Sequence, residues 1–227
     1  MPVDLELALL VDVSGSVDSN EFNLQRQGYI DAFNNSNVVD AIESGAIGSI
    51  SVTYIEWSGS TQQSQLVGWT EISDQTSASA FASAIAGTSR PFGGSTAIGS
   101  AITFSVPLFS GNGFEGTRNV IDVSGDGTNN SGGAPSTARD FALANGIDTI
   151  NGITINGATN GLLTYYENNV IGGQNAFAIN AASFEDFTAA IQDKLIREIR
   201  EEVPAPGALG LLGLGILGIA AARRRKA

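Results

Sequence analysis

The feature that most constrains the fold is an apolar run near the start of the chain that ends in polar residues. Residues 5–11 read LELALLV, with Glu6 as their single charged residue. A run of this kind, rich in Leu and Val, is typical of a strand in a parallel sheet that is covered on both faces. Asp12, Ser14 and Ser16 follow at alternate positions. Short oxygen-bearing side chains therefore leave the carboxyl end of the predicted strand.

Polar residues at this place indicate either a ligand site or a turn. In open α/β sheets, ligands bind outside the carboxyl ends of the strands. Oxygen ligands without nitrogen or sulfur suit hard cations such as Mg²⁺ and Ca²⁺. Asp, Ser and Gly also form ordinary turns and helix caps. The motif taken alone leaves both interpretations open.

The rest of the chain alternates predicted strands with predicted helices. Hydrophobic spacing predicts helices over 18–35, 77–86, 97–109, 137–145 and 184–202, and strands over 48–57, 65–72, 120–123, 147–155 and 176–179. The short connection between the second and third strands predicts an antiparallel pair at a sheet edge. The sequence thus predicts an α/β fold with a mostly parallel central sheet, one antiparallel edge strand and helices on both faces.

Composition excludes several classes of chemistry. The chain has 23 acidic and 11 basic residues, and four of the basic residues lie together at 223–226. The remaining chain is therefore strongly acidic, which disfavours nucleic acid as a partner. The sequence contains neither Cys nor His. Disulfides, thiol nucleophiles, Cys/His zinc sites and Ser-His-Asp triads are excluded.

Several single residues also allow local predictions. Ser19 or Asn20 is expected to cap the first helix, and Ser95 or Thr96 is expected to begin the helix over 97–109. Asn-Gly pairs predict turns at Asn151 and Asn156. Asp122 lies inside a predicted strand and is interpreted as a buried, hydrogen-bonded carboxylate without a function. A solvated helix face is predicted for Glu185, Asp186, Glu198, Glu201 and Glu202.

Two further polar loops match the first one in chemistry. Residues 93–96 read GGST, and residues 124–127 read SGDG after the predicted strand over 120–123. The predicted topology brings the carboxyl ends of the first and fourth strands together where the strand order reverses, and Thr96 lies across the same crevice. We therefore expect a site that contains side chains from all three loops.

These three loops resemble the metal-ion-dependent adhesion site of the von Willebrand factor A domain. More narrowly, LVDVSGSVDSNEF, GGSTAIGSAI and NVIDVSGDGTNN resemble the bacterial von Willebrand A-like family called domain of unknown function 1194. The resemblance implies a Rossmann-like fold and a Mg²⁺ site, with Mn²⁺ or Ca²⁺ as alternatives. It implies that the hydroxyls of Ser14, Ser16 and Thr96 coordinate the ion. Asp12 and Asp126 would hold the ion directly or through water, and one position would remain for a ligand carboxylate.

The C-terminal residues differ in kind from the rest. We divide the chain into a domain over 1–202 and a tail over 203–227, which consists of Pro204-Ala205-Pro206, an uncharged apolar segment over 207–222 and a basic end over 223–226. The apolar segment predicts a marginal membrane anchor; a disordered tail and a core helix are the alternatives. The tail resembles PEP-CTERM sorting signals, with Ala205 in place of the central Glu. That resemblance implies export and an exosortase as a partner.

The expected function is Mg²⁺-dependent adhesion, in which the domain binds a protein or another ligand that supplies a carboxylate, without enzymatic activity. We expect the protein in the cell envelope or outside the cell, transiently anchored to the membrane through its tail. No signal peptide is recognisable at the start of the sequence, and a start codon placed too far downstream would explain this. A metal-assisted hydrolase and a domain with a purely structural metal are the alternatives.

Overall fold

The computed structural model describes residues 1–157 and 161–200. The strands are β1 (Pro2–Val3), β2 (Leu5–Asp12), β3 (Ile50–Trp57), β4 (Gln63–Ile72), β5 (Glu115–Gly116), β6 (Asn119–Gly125), β7 (Thr149–Ile155), β8 (Gly172–Gly173) and β9 (Ala178–Ala181). The α-helices are α1 (Ser19–Asn34), α2 (Ser36–Glu43), α3 (Gln75–Ala86), α4 (Ile98–Ser105), α5 (Pro135–Ala144), α6 (Leu162–Asn169) and α7 (Phe187–Arg200). A 3₁₀ turn over Val106–Phe109 follows α4.

The central sheet is mostly parallel, as the sequence predicts. Among the described residues it has seven strands in the order β4-β3-β2-β6-β7-β8, and β9 pairs with β7. Strands β3, β2, β6, β7 and β9 run parallel, whereas β4 and β8 are antiparallel edge strands. The strand order reverses between β2 and β6. The carboxyl ends of these two strands therefore border the crevice in which α/β sheets bind ligands.

Strand β2 is buried on both faces, which explains its apolar sequence. Leu7 and Leu9 belong to one core, which is completed mainly by α1, α2, α3 and α7. Ala8 and Leu10 point to the opposite face and belong to a second core with α4, α5 and α6. Successive side chains of a strand alternate between its faces, so one strand supports both layers. Glu6 is also buried, and it accepts hydrogen bonds from the Asn112 side chain and the Gly116 amide.

The structure corrects several local predictions. Asp18, and neither Ser19 nor Asn20, caps α1 in a capping box with Glu21. Helix α4 begins after its N-cap residue Ala97 and has no side-chain cap, so neither Ser95 nor Thr96 caps it. Asn151 lies within β7 and forms no turn, whereas Asn156 follows that strand with a φ of 58°.

Two helices were not predicted. Helix α2 follows α1 after Asn35 alone, and α6 contains the Tyr165-Tyr166 pair. Both are only eight residues long. Such a short helix has few turns in which a repeated hydrophobic spacing can be recognised. Glu198 is a further correction, because it is buried where the sequence predicted a solvated face.

The predicted sorting tail, including Pro204, Ala205 and Pro206, lies outside the described residues. The last two residues of the helix predicted over 184–202 lie there as well. Within the described ranges, none of the helices combines the length and apolar character that crossing a membrane requires.

Candidate metal centre

The register of the sheet brings two of the predicted loops side by side. Strand β2 pairs in parallel with β6, and Val11 lies opposite Ser124. Asp12 is the last residue of β2, and Asp126 directly follows Gly125 at the end of β6. Two acidic side chains, separated by more than a hundred residues in the sequence, therefore leave adjacent strands at the same edge.

The five predicted site residues lie together in one hydrogen-bonded group. The Ser14 amide donates to Asp12 Oδ1 at 2.8 Å, and the Ser14 and Ser16 hydroxyl oxygens are 3.1 Å apart. Ser16 Oγ donates to Asp126 Oδ1 at 2.7 Å, and Thr96 Oγ1 lies 3.3 Å from Ser14 Oγ. The structure therefore brings together every residue that the sequence proposed for the site.

The loop before α4 is held in place from two sides. The Thr96 amide donates to Asn130 Oδ1, and the Asn130 amide donates back to the Thr96 carbonyl, both at 2.9 Å. On the other side, the Gly15 amide donates to the Gly94 carbonyl at 2.7 Å. A Cβ added to Gly15 would lie 3.3 Å from that carbonyl oxygen, so the close approach of the two loops favours glycine there.

Arg90 is a supporting residue that sequence reasoning missed. Its Nη2 atom donates to the carbonyls of Val13, Ser14 and Val17 at 2.8 to 2.9 Å. One guanidinium group thus fixes the backbone of the loop that presents the two serines. The sequence offered one signal: Arg90 is one of the seven basic residues outside the tail, and only Pro91 and Phe92 separate it from the GGST loop.

Asp12 carries the main electrostatic feature of the site. Its side chain is fully buried, and burial together with the charge of Asp126 raises its pKa to about 7 from an ordinary value of 3.8. Its Oδ2 atom has no hydrogen-bond partner among the described residues. An unpaired buried carboxylate oxygen is costly, because the charge loses its hydration without compensation. No positive side chain of the described residues hydrogen-bonds to this oxygen, although the charge of Arg90 partly offsets the rise in the pKa of Asp12.

Gly125 and Tyr166 enclose this unpaired oxygen. A Cβ at Gly125 would lie 2.9 Å from Asp12 Oδ2 and 2.6 Å from the Tyr166 hydroxyl oxygen. That hydroxyl is buried and, within the described chain, has no hydrogen-bond partner. Burial and the nearby charge of Asp12 raise the pKa of Tyr166 well above 10. The phenol therefore stays neutral, and the pocket has no space for another side chain.

The donor set fits a hard divalent cation. It consists of two carboxylates and three hydroxyls, all of them oxygen donors. Within the described part of the chain, no group of three or more acidic, Cys or His side chains forms an alternative metal site. Asp12, Ser14 and Thr96 are buried, whereas Ser16 is exposed and Asp126 is partly exposed. The group is thus closed toward the sheet and open toward solvent.

Two family models match the sequence. The model described as "Protein of unknown function (DUF1194)" matches residues 2–203, and the model of the PEP-CTERM protein-sorting motif matches residues 202–226. A search of curated protein sequences found no match. Both resemblances that the sequence motifs suggested are therefore confirmed.

Solved structures resemble the described fold at low sequence identity. Proximal thread matrix protein 1 from the mussel byssus is 17% identical with a TM-score of 0.67, and the match covers 87% of this chain and 48% of that one. A structure of the same protein "with zinc occupied MIDAS motif" has 15% identity, a TM-score of 0.62 and the same coverage.

Two bacterial structures show the same likeness. The pilus adhesin SpaC from Lactobacillus rhamnosus GG is 13% identical, with a TM-score of 0.62 over 88% of this chain and 31% of that one. A von Willebrand factor type A structure from Catenulispora acidiphila is 11% identical, with a TM-score of 0.57 over 87% of this chain and 43% of that one.

The chain thus spans less than half the length of each of these neighbours. At such identities the likeness concerns the fold, which is the Rossmann-like von Willebrand A fold. The family match covers most of the sequence. The chain belongs to the DUF1194 family of proteins of unknown function.

Proposed function

We propose that the protein binds a divalent cation, Mg²⁺ in the first place, through Asp12, Ser14, Ser16, Thr96 and Asp126, and that the cation then binds a carboxylate of a protein partner. The observation that carries this proposal is the buried Asp12 Oδ2, which has no partner within the described residues. It lies in a group whose donors are all oxygens, and a hard cation compensates such an atom better than any side chain nearby.

The charges of the five side chains favour an acidic ligand. Two carboxylates balance the charge of a divalent ion, and the three hydroxyls add none. A bound cation therefore supplies an electrophilic position for one more anionic oxygen. Ser16 and Asp126 lie on the solvent side of the group. A partner's Glu or Asp side chain is expected to approach there.

The structural neighbours support an adhesive, non-enzymatic role. They include a pilus adhesin and a thread matrix protein, and one structure of the thread matrix protein has a zinc-occupied MIDAS motif. We extend this role to the present chain as a proposal. Mg²⁺ is preferred over zinc here because the five residues supply oxygen donors without nitrogen or sulfur.

The C-terminal motif supports export and sorting to the cell envelope. The PEP-CTERM match covers residues 202–226. We propose that 1–202 form the exported domain, that 203–227 form the sorting tail, and that an exosortase recognises the Pro204-Ala205-Pro206 segment. The apolar residues 207–222 would hold the chain transiently in the membrane, with the basic end on the cytoplasmic side.

A metal-linkage experiment tests the binding site. Thermal melting of the full chain is followed while Mn²⁺ is titrated with and without acetate, the simplest carboxylate. A cation that binds only the folded state adds about 2.7 kcal/mol at a hundredfold excess over its dissociation constant. Acetate is expected to raise the apparent Mn²⁺ affinity, because it fills the remaining position. Asp126→Ala is expected to abolish both effects.

Other outcomes would select the alternative functions. A stabilising Mn²⁺ site that ignores acetate would indicate a structural metal. Metal-dependent turnover of a substrate, lost in Asp126→Ala, would indicate a hydrolase.

A deletion tests the proposed tail. Removal of residues 209–226 from the exported protein is expected to release it in soluble form, because the apolar segment and the basic end are lost. Membrane fractionation of both forms measures the effect. Equal fractionation of the two forms would contradict the sorting proposal.

A further inference from the structure

A groove lies between helices α4 and α5, beside the candidate metal centre. Its volume is about 560 Å³, within the range of about 300–1,000 Å³ that is typical of ligand pockets. Thr103 and Phe104 of α4 line one side, and Thr137 and Phe141 of α5 line the other. The five residues proposed to hold the cation do not line it, so the groove is a separate feature of the surface.

The lining of the groove carries no charge. None of its residues is acidic or basic, although the chain has a net charge of −12. Its polar side chains are all hydroxyls, from Ser60, Ser100, Thr103 and Thr137. A charged side chain that entered the groove would lose hydration without meeting an opposite charge, which is costly. The lining therefore favours an uncharged, mainly apolar occupant.

Phe141 presents its ring to solvent at this groove. Its side chain is 45% exposed, and among the large hydrophobic residues of the described chain only Met1 and Ile47 are similarly exposed. A single exposed apolar residue is common on protein surfaces. Here the exposed ring borders a concave groove of ligand size, and aromatic side chains in such places often anchor a binding partner.

The groove begins close to the metal-binding loop. Gly99 lines the groove and lies three residues after Thr96. Consecutive Cα atoms are 3.8 Å apart, so the Cα atoms of these two residues are separated by at most about 11 Å. An extended segment covers that distance in about three residues. One short segment of a partner can therefore reach both the cation and the groove.

One loop fixes both places relative to each other. The Asn130 amide donates to the Thr96 carbonyl at 2.9 Å, and Asn129 Nδ2 donates to the Gly133 carbonyl at 3.3 Å. Gly133 lines the groove and packs tightly on α4, because a Cβ at Gly99 would collide with the Gly133 carbonyl oxygen. The loop that holds Thr96 thus also forms part of the groove.

We propose that the groove between α4 and α5 binds an apolar side chain of the same partner segment whose carboxylate reaches the cation, an inference that rests on the proposed function. The acidic and the apolar residue of the partner lie within three positions of each other. The cation selects the acidic residue by charge, and the uncharged groove selects its neighbour by apolar character. An acidic segment without such a neighbour binds more weakly.

Short peptides test this proposal by NMR titration of the full chain in saturating Mg²⁺. The probes are acetyl-Glu-Gly-Phe-amide, acetyl-Glu-Gly-Gly-amide and acetyl-Gln-Gly-Phe-amide, each also in the reverse order of residues because either chain direction is compatible with the groove. In at least one order, the peptide with Glu and Phe is expected to bind about tenfold more tightly than the one with Glu alone, because its ring is partly removed from water. The Gln peptide is expected to bind most weakly, since its amide is neutral.

Two matched variants locate the effect. Phe141→Ala is expected to give the two Glu peptides equal affinity, because the ring at the groove is lost. Ile47→Ala is the control: Ile47 is also 45% exposed, but it precedes β3 at the opposite edge of the sheet and its amide donates to Asp4. It is expected to keep the tenfold difference.

The outcomes separate this proposal from the proposed function. Equal affinities of the two Glu peptides for the unchanged protein, with binding that still requires Mg²⁺, would overturn the groove proposal alone. Peptide binding that ignores both chelator and Asp126→Ala would contradict the metal-dependent function and this inference with it.

Two further results would assign the groove to another occupant and overturn the proposal. One is self-association of the full chain that the peptide with Glu and Phe reverses, which would indicate a second copy. The other is tighter binding of that peptide after removal of residues 209–226, which would indicate the tail.

Discussion

Two acidic clusters lie along the same central strand, and they differ in where their positive charge comes from. At the carboxyl end of β6, Asp126 lies beside Asp12, with hydroxyl groups around them and one side open to solvent. At the middle of β6, Asp122 and Glu198 enclose Lys194 without solvent access. The first cluster includes no positive side chain among its five members, whereas the second contains its own.

The difference shows two ways in which one sheet offsets the free-energy cost of burying carboxylates. Burial raises the pKa of Asp12 and of Glu198 alike, to about 7 in each case. In the inner cluster, formed by Asp122, Lys194 and Glu198, the lysine supplies the compensating positive charge and solvent is excluded. In the outer cluster, formed by Asp12, Ser14, Ser16, Thr96 and Asp126, the Asp12 Oδ2 atom has no partner among the described residues, and one side is open to solvent. This is the arrangement expected of a site that takes its cation from solution.

The largest effect is expected when the inner cluster loses its cation. Lys194→Met leaves two buried carboxyl groups without a positive partner, which typically costs about 3–5 kcal/mol of the free energy of unfolding. Urea denaturation measures this loss. The loss is expected to be smaller at pH 5 than at pH 8, because burial raises the pKa of Glu198 to about 7 and its protonation removes one of the unpaired charges.

Asp140→Asn is the matched control for this variant. Asp140 pairs with Arg139 at 2.9 Å, but its side chain is 67% exposed. Solvent screens such a pair, so a change below about 1 kcal/mol is expected. Equal losses in Lys194→Met and Asp140→Asn would show that the inner cluster contributes no more than a surface pair.

A smaller effect is expected at the wall of the outer cluster. In Gly125→Ala the new methyl group would crowd Asp12 Oδ2 and the Tyr166 hydroxyl. Overpacking of this kind costs about 1–3 kcal/mol. Gly133→Ala is the control, because its Cβ would meet no atom within 4 Å. Thermal melting of both variants in the presence of chelator measures the difference, and equal melting temperatures would contradict the crowded geometry.

The pH dependence of the free energy of unfolding tests the role of Asp12 in the outer cluster. Asp12 has a folded-state pKa of about 7, above its ordinary value of 3.8. Its stabilising contribution is therefore complete below pH 3.8 and is lost as the pH rises through 7. In chelator the free energy of unfolding is expected to fall over this window, by at most about 1.4 kcal/mol per pH unit for this one group. Glu56 and Glu198 add slopes of the same sign.

Asp12→Asn is expected to make this slope shallower, and Glu56→Gln is its control. Both variants remove one carboxyl group whose pKa is raised, but Glu56 belongs to neither cluster. Saturating Mg²⁺ is expected to flatten the profile in Glu56→Gln and to leave it unchanged in Asp12→Asn. Urea midpoints measured between pH 4 and 8 test this, and an identical Mg²⁺ effect in both variants would contradict the role given to Asp12.

The outer cluster was predictable because its signals are local. Asp12, Ser14 and Ser16 follow a strand whose burial is evident from its own residues, and parallel topology brings the Asp126 loop to the same edge. The position of Thr96 in the group was predicted as well. Its fixation by Asn130 was not, because that contact depends on the path of two irregular loops.

The inner cluster was not predictable in the same way. Glu198 was expected on a solvated helix face, since its neighbours in sequence are polar and charged. Its burial depends on Asp122 and Asn151, which lie 76 and 47 positions earlier in the chain. Asp122 was expected to be buried, but no local pattern identified Lys194 as its partner. Charge pairing across distant elements is decided by packing, which helical periodicity does not reveal.

Isothermal titration of Mg²⁺ into the full chain tests the central claim most directly. The unchanged protein and the surface control Asp140→Ala are expected to bind one ion at a saturable site. Asp126→Ala is expected to show no saturable binding, although each variant removes a single carboxylate from an acidic protein. Equal Mg²⁺ binding by all three would place the ion elsewhere or show only diffuse attraction, and it would contradict a metal centre at the ends of β2 and β6.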